Sequence, residues 1–192
     1  PQLTAVKMHL HKTIPMGAGM GGGSADAAFA LQLLNDKFQL NLSLQELVNY
    51  ALQLGSDCPF FLLNQPCYAT GRGEIMEPVS ADLSVFQILI INPGIHINTA
   101  KAFSQIETGK NTTDLRTLVA QPIDQWKHTV VNDFETSVFA QQPGIADIKD
   151  ELYRSGALYA SMSGSGSTVY GIFAKGDQPV MNFPAHYFYR WV

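Results

Sequence analysis

Hydrophobic and polar positions alternate at the start of the chain. Within residues 3–10, Val6, Met8 and Leu10 share one face while Lys7 and His9 point the other way, which predicts a strand. Residues 14–23 hold five glycines in ten positions, a loop, and from Ser24 small residues lead into Leu31, Leu34 and Phe38 at helical spacing. Ser43-Leu44-Gln45-Glu46 has the spacing of a capping box, and Leu44, Leu47, Val48, Ala51 and Leu54 continue an apolar helix face that Gly55 stops. The unbroken apolar run Phe60-Phe61-Leu62-Leu63 predicts a buried strand, which puts Asp57 at a helix-to-strand corner.

Gly71-Arg72-Gly73-Glu74 reads as a turn, and a change of subdomain is expected near Asp82, dividing residues 1–82 from 83–192. Beyond it, residues 85–91 predict a strand closed by Asn92-Pro93-Gly94, and residues 99–106 a short helix. Residues 111–142 look helical in pieces, and residues 145–155 form a helix that ends at Gly156. The loop Ser163-Gly164-Ser165-Gly166-Ser167 then leads to a strand over 169–174. This irregular mixture of helices and strands predicts an α+β protein of two subdomains.

Composition narrows the function classes. Hydrophobic residues make up 46% and charged ones 15%, which excludes a wholly disordered chain or a coiled coil. Twelve Lys+Arg against 16 Asp+Glu give a net charge of −4, so no nucleic-acid partner is expected and any phosphate must be held locally. Apolar runs such as 85–91 fall far short of the roughly 20 residues of a membrane span, and no membrane partner is expected. Cys58 and Cys67 lie in no metal-ligand pattern, which favours two reduced thiols in a cytoplasmic enzyme. The chain opens on Pro1 instead of Met, as a processed protein or a piece of a longer one would.

The most informative stretch is Pro15-Met16-Gly17-Ala18-Gly19-Met20-Gly21-Gly22-Gly23-Ser24-Ala25. Glycines let several amide N–H groups converge on one anion, and a following helix adds unpaired donors and a positive dipole end. A polyphosphate could then be held without many basic side chains, with Ser24 capping the helix or reaching a phosphate oxygen or magnesium. The plain alternative is a flexible hinge. The Walker ending Gly-Lys-Ser/Thr is absent, as is the acidic ribose partner of a dinucleotide fold.

These residues resemble the GHMP kinases, whose second motif is a Pro-x-x-x-Gly-x-Gly-Ser-Ser-Ala-type loop opening a helix, matched here by residues 15–28. Three more segments follow in the family's order: Gly55-Ser56-Asp57-Cys58-Pro59-Phe60-Phe61, Asn132-Asp133-Phe134-Glu135, and the loop 163–167. Their form is most similar to the branch that acts on a cytidine-diphospho polyol in isoprenoid precursor synthesis. The resemblance implies a GHMP-kinase two-lobed fold, with part of a ribosomal protein S5-like N-lobe followed by a ferredoxin-like C-lobe. It also implies that the chain is the C-terminal two-thirds of such an enzyme, a fragment lacking the N-terminal part.

The implied chemistry is transfer of the γ-phosphoryl group of ATP, with Mg2+, to an alcohol. By resemblance the loop Pro15 to Ala25 holds the ATP phosphates and Asp57 deprotonates the acceptor's 2-hydroxyl. Read without the family, Asp57 is an ordinary turn or capping aspartate. Thr99 and Phe103 match a Thr-x-x-x-Phe element near the cytidine pocket, although Phe103 also suits a helix's core face. Gly164, Ser165 and Gly166 match a second glycine turn near the phosphate loop and substrate, though they suit a plain β-turn equally. Lys12 reads as a phosphate contact or as the solvated end of a strand. Asp133 and Glu135 diverge too far on a regular helix to share a metal, so no metal site is assigned to them and both are read as bonding to backbone amides at the subdomain junction. The family's usual second serine is Ala25 here, leaving Ser24 the only hydroxyl at the loop's end. Other readings are another GHMP kinase acting on homoserine, mevalonate or a sugar, or a nucleotide-binding fragment without turnover.

Overall fold

The computed structural model describes residues 5–106 and 113–192. The chain divides into two compact units, Pro1–Met16 with Gly21–Val79, and Gly17–Met20 with Ser80–Val192. The middle of the glycine loop thus belongs to the C-terminal unit.

The N-terminal unit holds helices α1 (Gly22–Lys37), α2 (Leu44–Leu54) and α3 (Cys58–Leu63), then an antiparallel hairpin of β1 (Cys67–Thr70) and β2 (Ile75–Pro78). The hairpin closes through the predicted turn at residues 71–74. Ala28, Leu47, Ala51, Cys58 and Leu62 form its core. The capping box is present in α2: Ser43 N–H donates to Glu46 Oε2 at 2.8 Å, and Glu46 N–H donates to Ser43 Oγ at 3.3 Å. Gly55 closes the helix with its N–H on Ala51 O.

Three expectations in this unit are corrected. Residues 60–63 are helical, not a strand. Pro59 sits in the first turn of α3, where its missing N–H costs nothing, and Cys58 and Leu62 face inward while Phe60 is 38% exposed. Four apolar residues are too few to separate a period of 3.6 from one of 2. Asp57 consequently lies at a helix-to-helix corner, as the residue before α3, with no side-chain cap bond. Residues 5–13 carry no strand despite their alternation, and Val6, Met8 and Leu10 are exposed. A strand exists through its ladder, and the unit's ladder among the described residues is β1 with β2. Residues 3 and 4 of that expectation lie outside the described residues. Finally, Ser24 does not cap α1. The cap position is Gly21, at φ 64, and Ala25 N–H already donates to Gly21 O at 2.9 Å, so Ser24 is the third helical residue.

The C-terminal unit is a four-stranded antiparallel sheet in the order β4-β5-β3-β6, where β3 is Phe86–Asn92, β4 Tyr159–Met162, β5 Val169–Ala174 and β6 Phe188–Trp191. Between β3 and β4 run α4 (Thr99–Ser104), α5 (Leu115–Val119), a 3-10 turn at Ile123–Gln125, α6 (Trp126–Thr129), α7 (Phe134–Gln141) and α8 (Pro143–Arg154). The expected helices and strands of this half are therefore present, although residues 111 and 112 lie outside the described residues. Counting strands within the unit, the order is 2-3-1-4, that of a split β-α-β ferredoxin-like sheet. Between β5 and β6, residues 175–187 form no regular element.

Strand alternation sorts the core. Leu89, Ile91, Val169 and Phe173 meet Ile145, Ile148 and Leu152 of α8 and Val138 of α7. On the other sheet face Ile88, Tyr159, Tyr170 and Ile172 pack with Trp126. Truncating a buried Leu such as Leu152 would cost about 2–5 kcal/mol. Strand β6 was not foreseen. It pairs Leu89 with Trp191, and the Trp191 ring lies 5.1 Å from that of Phe173.

Candidate functional site

In the N-terminal unit, α1 opens directly out of the glycine run. Its first turn presents N–H groups that no intrahelical carbonyl takes, together with the positive end of the dipole. Gly21 lies at φ 64, in the left-handed region that favours glycine, and a Cβ there would press on the tip of the Phe61 ring at 2.8 Å. One on Gly23 would meet nothing within 4 Å. Lys12 Nζ lies 3.6 Å from the Cβ position of Gly22 and pairs with Asp26 of the same helix. The Lys12 side chain, 24% exposed, is thus a held cation beside the helix start, not a solvated strand end. First-turn amides, one ammonium and the Ser24 hydroxyl form a donor set that suits a phosphate oxygen. Asp57 is exposed in this unit; its Oδ1 accepts from Ser56 Oγ at 3.4 Å and lies 3.3 Å from the Cβ position of Gly73.

In the C-terminal unit the stretch Gly17–Met20 is seated on the second glycine turn. Ser163 Oγ donates to Gly19 O at 2.7 Å, and Thr168 N–H donates to Ala18 O at 3.1 Å. Gly19 has φ 75, and a Cβ there would fall 2.4 Å from Ser163 O and 2.7 Å from Gly166 O. No side chain fits that approach. The far end of the turn is also tied: Asn92 Nδ2 donates to Thr168 Oγ1 at 3.0 Å and Ser167 Oγ to Ile95 O at 2.5 Å. Beside this seat lies an apolar recess of about 200 Å3 lined by Met20, Ile88, Ile90, Ser163, Thr168, Tyr170 and Val192. Burial pushes the Tyr170 phenol up from its ordinary value.

Thr99 joins the same neighbourhood, its Oγ1 lying 3.2 Å from Ser165 Oγ. Phe103, four residues on, is 62% exposed with its ring edge-on to Phe134 at 4.9 Å, so it is no core residue. His96 Nδ1 lies 3.7 Å from the Cβ position of Gly17. Thr99, Ser165, Gly164, Gly166 and the Gly17–Met20 stretch are therefore parts of one unit, while Pro15, Met16, Gly21, Gly22, Gly23, Ser24, Ala25 and Asp57 belong to the other.

The segment 132–135 divides its work among residues. Asn132 Oδ1 accepts from Phe134 N–H at 3.0 Å, which caps α7, while Asp133 makes no side-chain cap bond. Glu135 Oε1 accepts from Met162 N–H at 2.8 Å and from Ser161 Oγ at 3.2 Å, and Oε2 pairs with Lys149 Nζ at 2.5 Å. The expected amide bond therefore exists for Glu135, but inside the C-terminal unit and not at a subdomain junction. Removing one partner of this largely buried pair would cost about 3–5 kcal/mol. Sequence reasoning missed Asp26, Asn92, His96 and the Ser163 hydroxyl, because each acts through a contact distant in sequence.

Comparison with known proteins identifies the family. The family model described as GHMP kinases N terminal domain matches residues 2–65, and that described as GHMP kinases C terminal matches residues 115–180. A 4-diphosphocytidyl-2-C-methyl-D-erythritol kinase of Bacteroides thetaiotaomicron is 52% identical over 171 residues, covering 89% of this chain and 62% of the relative. The enzyme of that name from Azobacteroides pseudotrichonymphae is 47% identical over 189 residues, covering 97% of this chain and 71% of the relative. A crystal structure of 4-(cytidine 5'-diphospho)-2C-methyl-D-erythritol kinase superposes with a TM-score of 0.72 at 28% identity, covering 86% of this chain and 60% of that one. The chain thus spans about two thirds of the length of these relatives. With both family models matched in order and relatives 52% and 47% identical over 89% and 97% of its length, the chain belongs to the GHMP kinase family.

Proposed function

We propose that this chain carries the nucleotide loop and catalytic base of an ATP-dependent kinase for the 2-hydroxyl of 4-diphosphocytidyl-2-C-methyl-D-erythritol, in the non-mevalonate route to isoprenoid precursors in the cytoplasm. The observation that carries the reading is the seating of Gly17–Met20 on the turn at residues 163–168, which turns two glycine-rich loops into one fixed backbone surface. The identity to relatives of that name supports the substrate.

In this reading the loop Pro15 to Ala25 binds the triphosphate through amides, with Lys12 adding a charge beside the α1 start. Asp57 accepts the proton of the attacking hydroxyl, leaving an alkoxide-like oxygen to displace ADP from the γ-phosphorus. Thr99, Ser165 and the backbone at Gly164 and Gly166 orient the substrate, and the exposed Phe103 ring offers a face on which cytosine stacks. Among the described residues no group of three or more His, Cys, Asp or Glu side chains gathers to hold a metal. Mg2+ would accompany ATP, bound to the phosphate oxygens and keeping several waters.

The test is ADP release by the protein extended to its relatives' length, with the cytidine-diphospho polyol, homoserine, mevalonate or a sugar offered as acceptor. Stimulation by the cytidine compound alone is expected; stimulation by one of the others reassigns the substrate within the family. Calorimetry with a non-hydrolysable ATP analogue on the 192-residue chain tests the loop separately.

A further inference from the structure

Asn132 uses every polar atom of its side chain. Nδ2 donates to Met162 O at 2.7 Å and to Gly164 O at 2.8 Å, while Oδ1 accepts from Phe134 N–H. Between those two carbonyls stands Ser163, whose hydroxyl reaches Gly19 O. Met162 is held on its N–H as well, by Glu135. The base of the second glycine turn is thus gripped from one four-residue segment, and the turn's hydroxyl in turn grips the first loop.

We propose that Asn132 is a positioning residue for the nucleotide loop. By fixing the carbonyls on either side of Ser163 it holds that hydroxyl at Gly19, and so sets the backbone of Gly17–Met20 before any ligand arrives. The proposal rests on the reading of that loop as a phosphate site. Asparagine is the fitting side chain, since it presents two hydrogens and one acceptor from a single amide. Aspartate would set a carboxylate against two carbonyl oxygens, and alanine would leave both without their donor. Preorganisation of this kind raises affinity by removing the cost of ordering the loop during binding.

Asn132→Asp keeps the oxygen that caps α7 and loses the two donors. In the 192-residue chain, hydrogen exchange of the Thr168 amide, which donates to Ala18 O, is expected to quicken about tenfold or more. Backbone order parameters over Gly17–Met20 should fall from about 0.85 to below about 0.6, while the amides of β3 and β5 keep wild-type protection. Affinity for a non-hydrolysable ATP analogue should fall about tenfold. Ser163→Ala, which cuts only the last link, should give the same local loosening, and the double variant should add nothing; it also serves if Asn132→Asp does not fold. Wild-type order at Gly17–Met20 in either variant, or loosening spread evenly through the sheet, overturns the proposal. Local loosening without a loss of affinity keeps the relay from Asn132 to Gly19 and overturns the reading of the loop as a nucleotide site.

Discussion

The Ser163 hydroxyl donates to the carbonyl oxygen of Gly19 across 144 positions of sequence, at 2.7 Å. Each partner lies in a glycine-rich loop, and the turn at 163–168, held by Asn132 and Asn92, gives the first loop its seat. The closeness of that fit makes Gly19 intolerant of any side chain. Gly19→Ala would place a methyl 2.4 Å from Ser163 O at φ 75, a region that costs a non-glycine residue about 1–2 kcal/mol before the clash is counted. The expected outcome is a displaced loop, a lower melting temperature and a loss of ATP-analogue affinity of about tenfold or more, read by calorimetry on both proteins. Wild-type affinity in this variant would detach the loop from nucleotide binding.

Asp57→Asn separates binding from chemistry. The carboxylate is exposed and makes no cap bond to α3, so the amide should be accommodated without loss of stability. In the protein extended to its relatives' length, ATP-analogue affinity should stay within about twofold, while turnover falls about 10²–10⁴-fold, the usual contribution of a positioned base. Near-normal turnover removes Asp57 from the reaction.

The C-terminal sheet was legible where strands are long and mostly apolar. Residues 85–91 and 169–174 declare themselves because both of their faces are covered. The motif segments were legible because glycine and capping residues carry their geometry locally, as at Ser43 and Glu46. What failed was whatever depends on a remote partner. Residues 5–13 have a strand's alternation and no ladder, and the Phe60 run takes its helical form from Pro59 and the packing of Leu62. Strand β6 exists because β3 has a free edge for it. Likewise Asn132 showed a motif but not its two carbonyl partners, 30 and 32 residues away.

The capping box makes a pH-dependent prediction. The Ser43 hydroxyl, followed by its backbone N–H, holds the Glu46 carboxyl below the usual carboxylate range. A lowered folded value means that the contribution is present above the unfolded carboxylate pKa and is lost as pH falls through the folded one. Carbon-13 titration of Glu46 should show this lowered midpoint, and Ser43→Ala, which keeps the backbone N–H donor but loses the hydroxyl, should raise it toward the ordinary range while lowering the melting temperature by a few degrees at neutral pH. An unchanged Glu46 midpoint in Ser43→Ala would show that the box does not form in solution.

Tyr159 carries the opposite sign at the alkaline end. It is 3% exposed, its hydroxyl donates to Val130 O at 2.9 Å, and its ring meets Trp126 edge-on at 5.5 Å. Burial, chiefly, raises its phenol far above the ordinary value, with Tyr170 adding to the effect. Below about pH 10 the folded and unfolded chains both keep the proton, and the residue's contribution is constant. Above it the unfolded chain loses a proton that the folded one retains, so stability falls as pH rises. Tyr159→Phe has no such proton, but it leaves the Val130 carbonyl without its donor, a loss of about 1–3 kcal/mol at neutral pH. Wild type should therefore be the more stable near neutrality, and its advantage should shrink once pH exceeds about 10. Urea denaturation of both proteins at about pH 7, 9 and 10.5 measures this, with the other tyrosines cancelling because both chains contain them. A constant difference across that range would mean that Tyr159 ionises as readily folded as unfolded, and that its hydroxyl is not sealed behind Trp126.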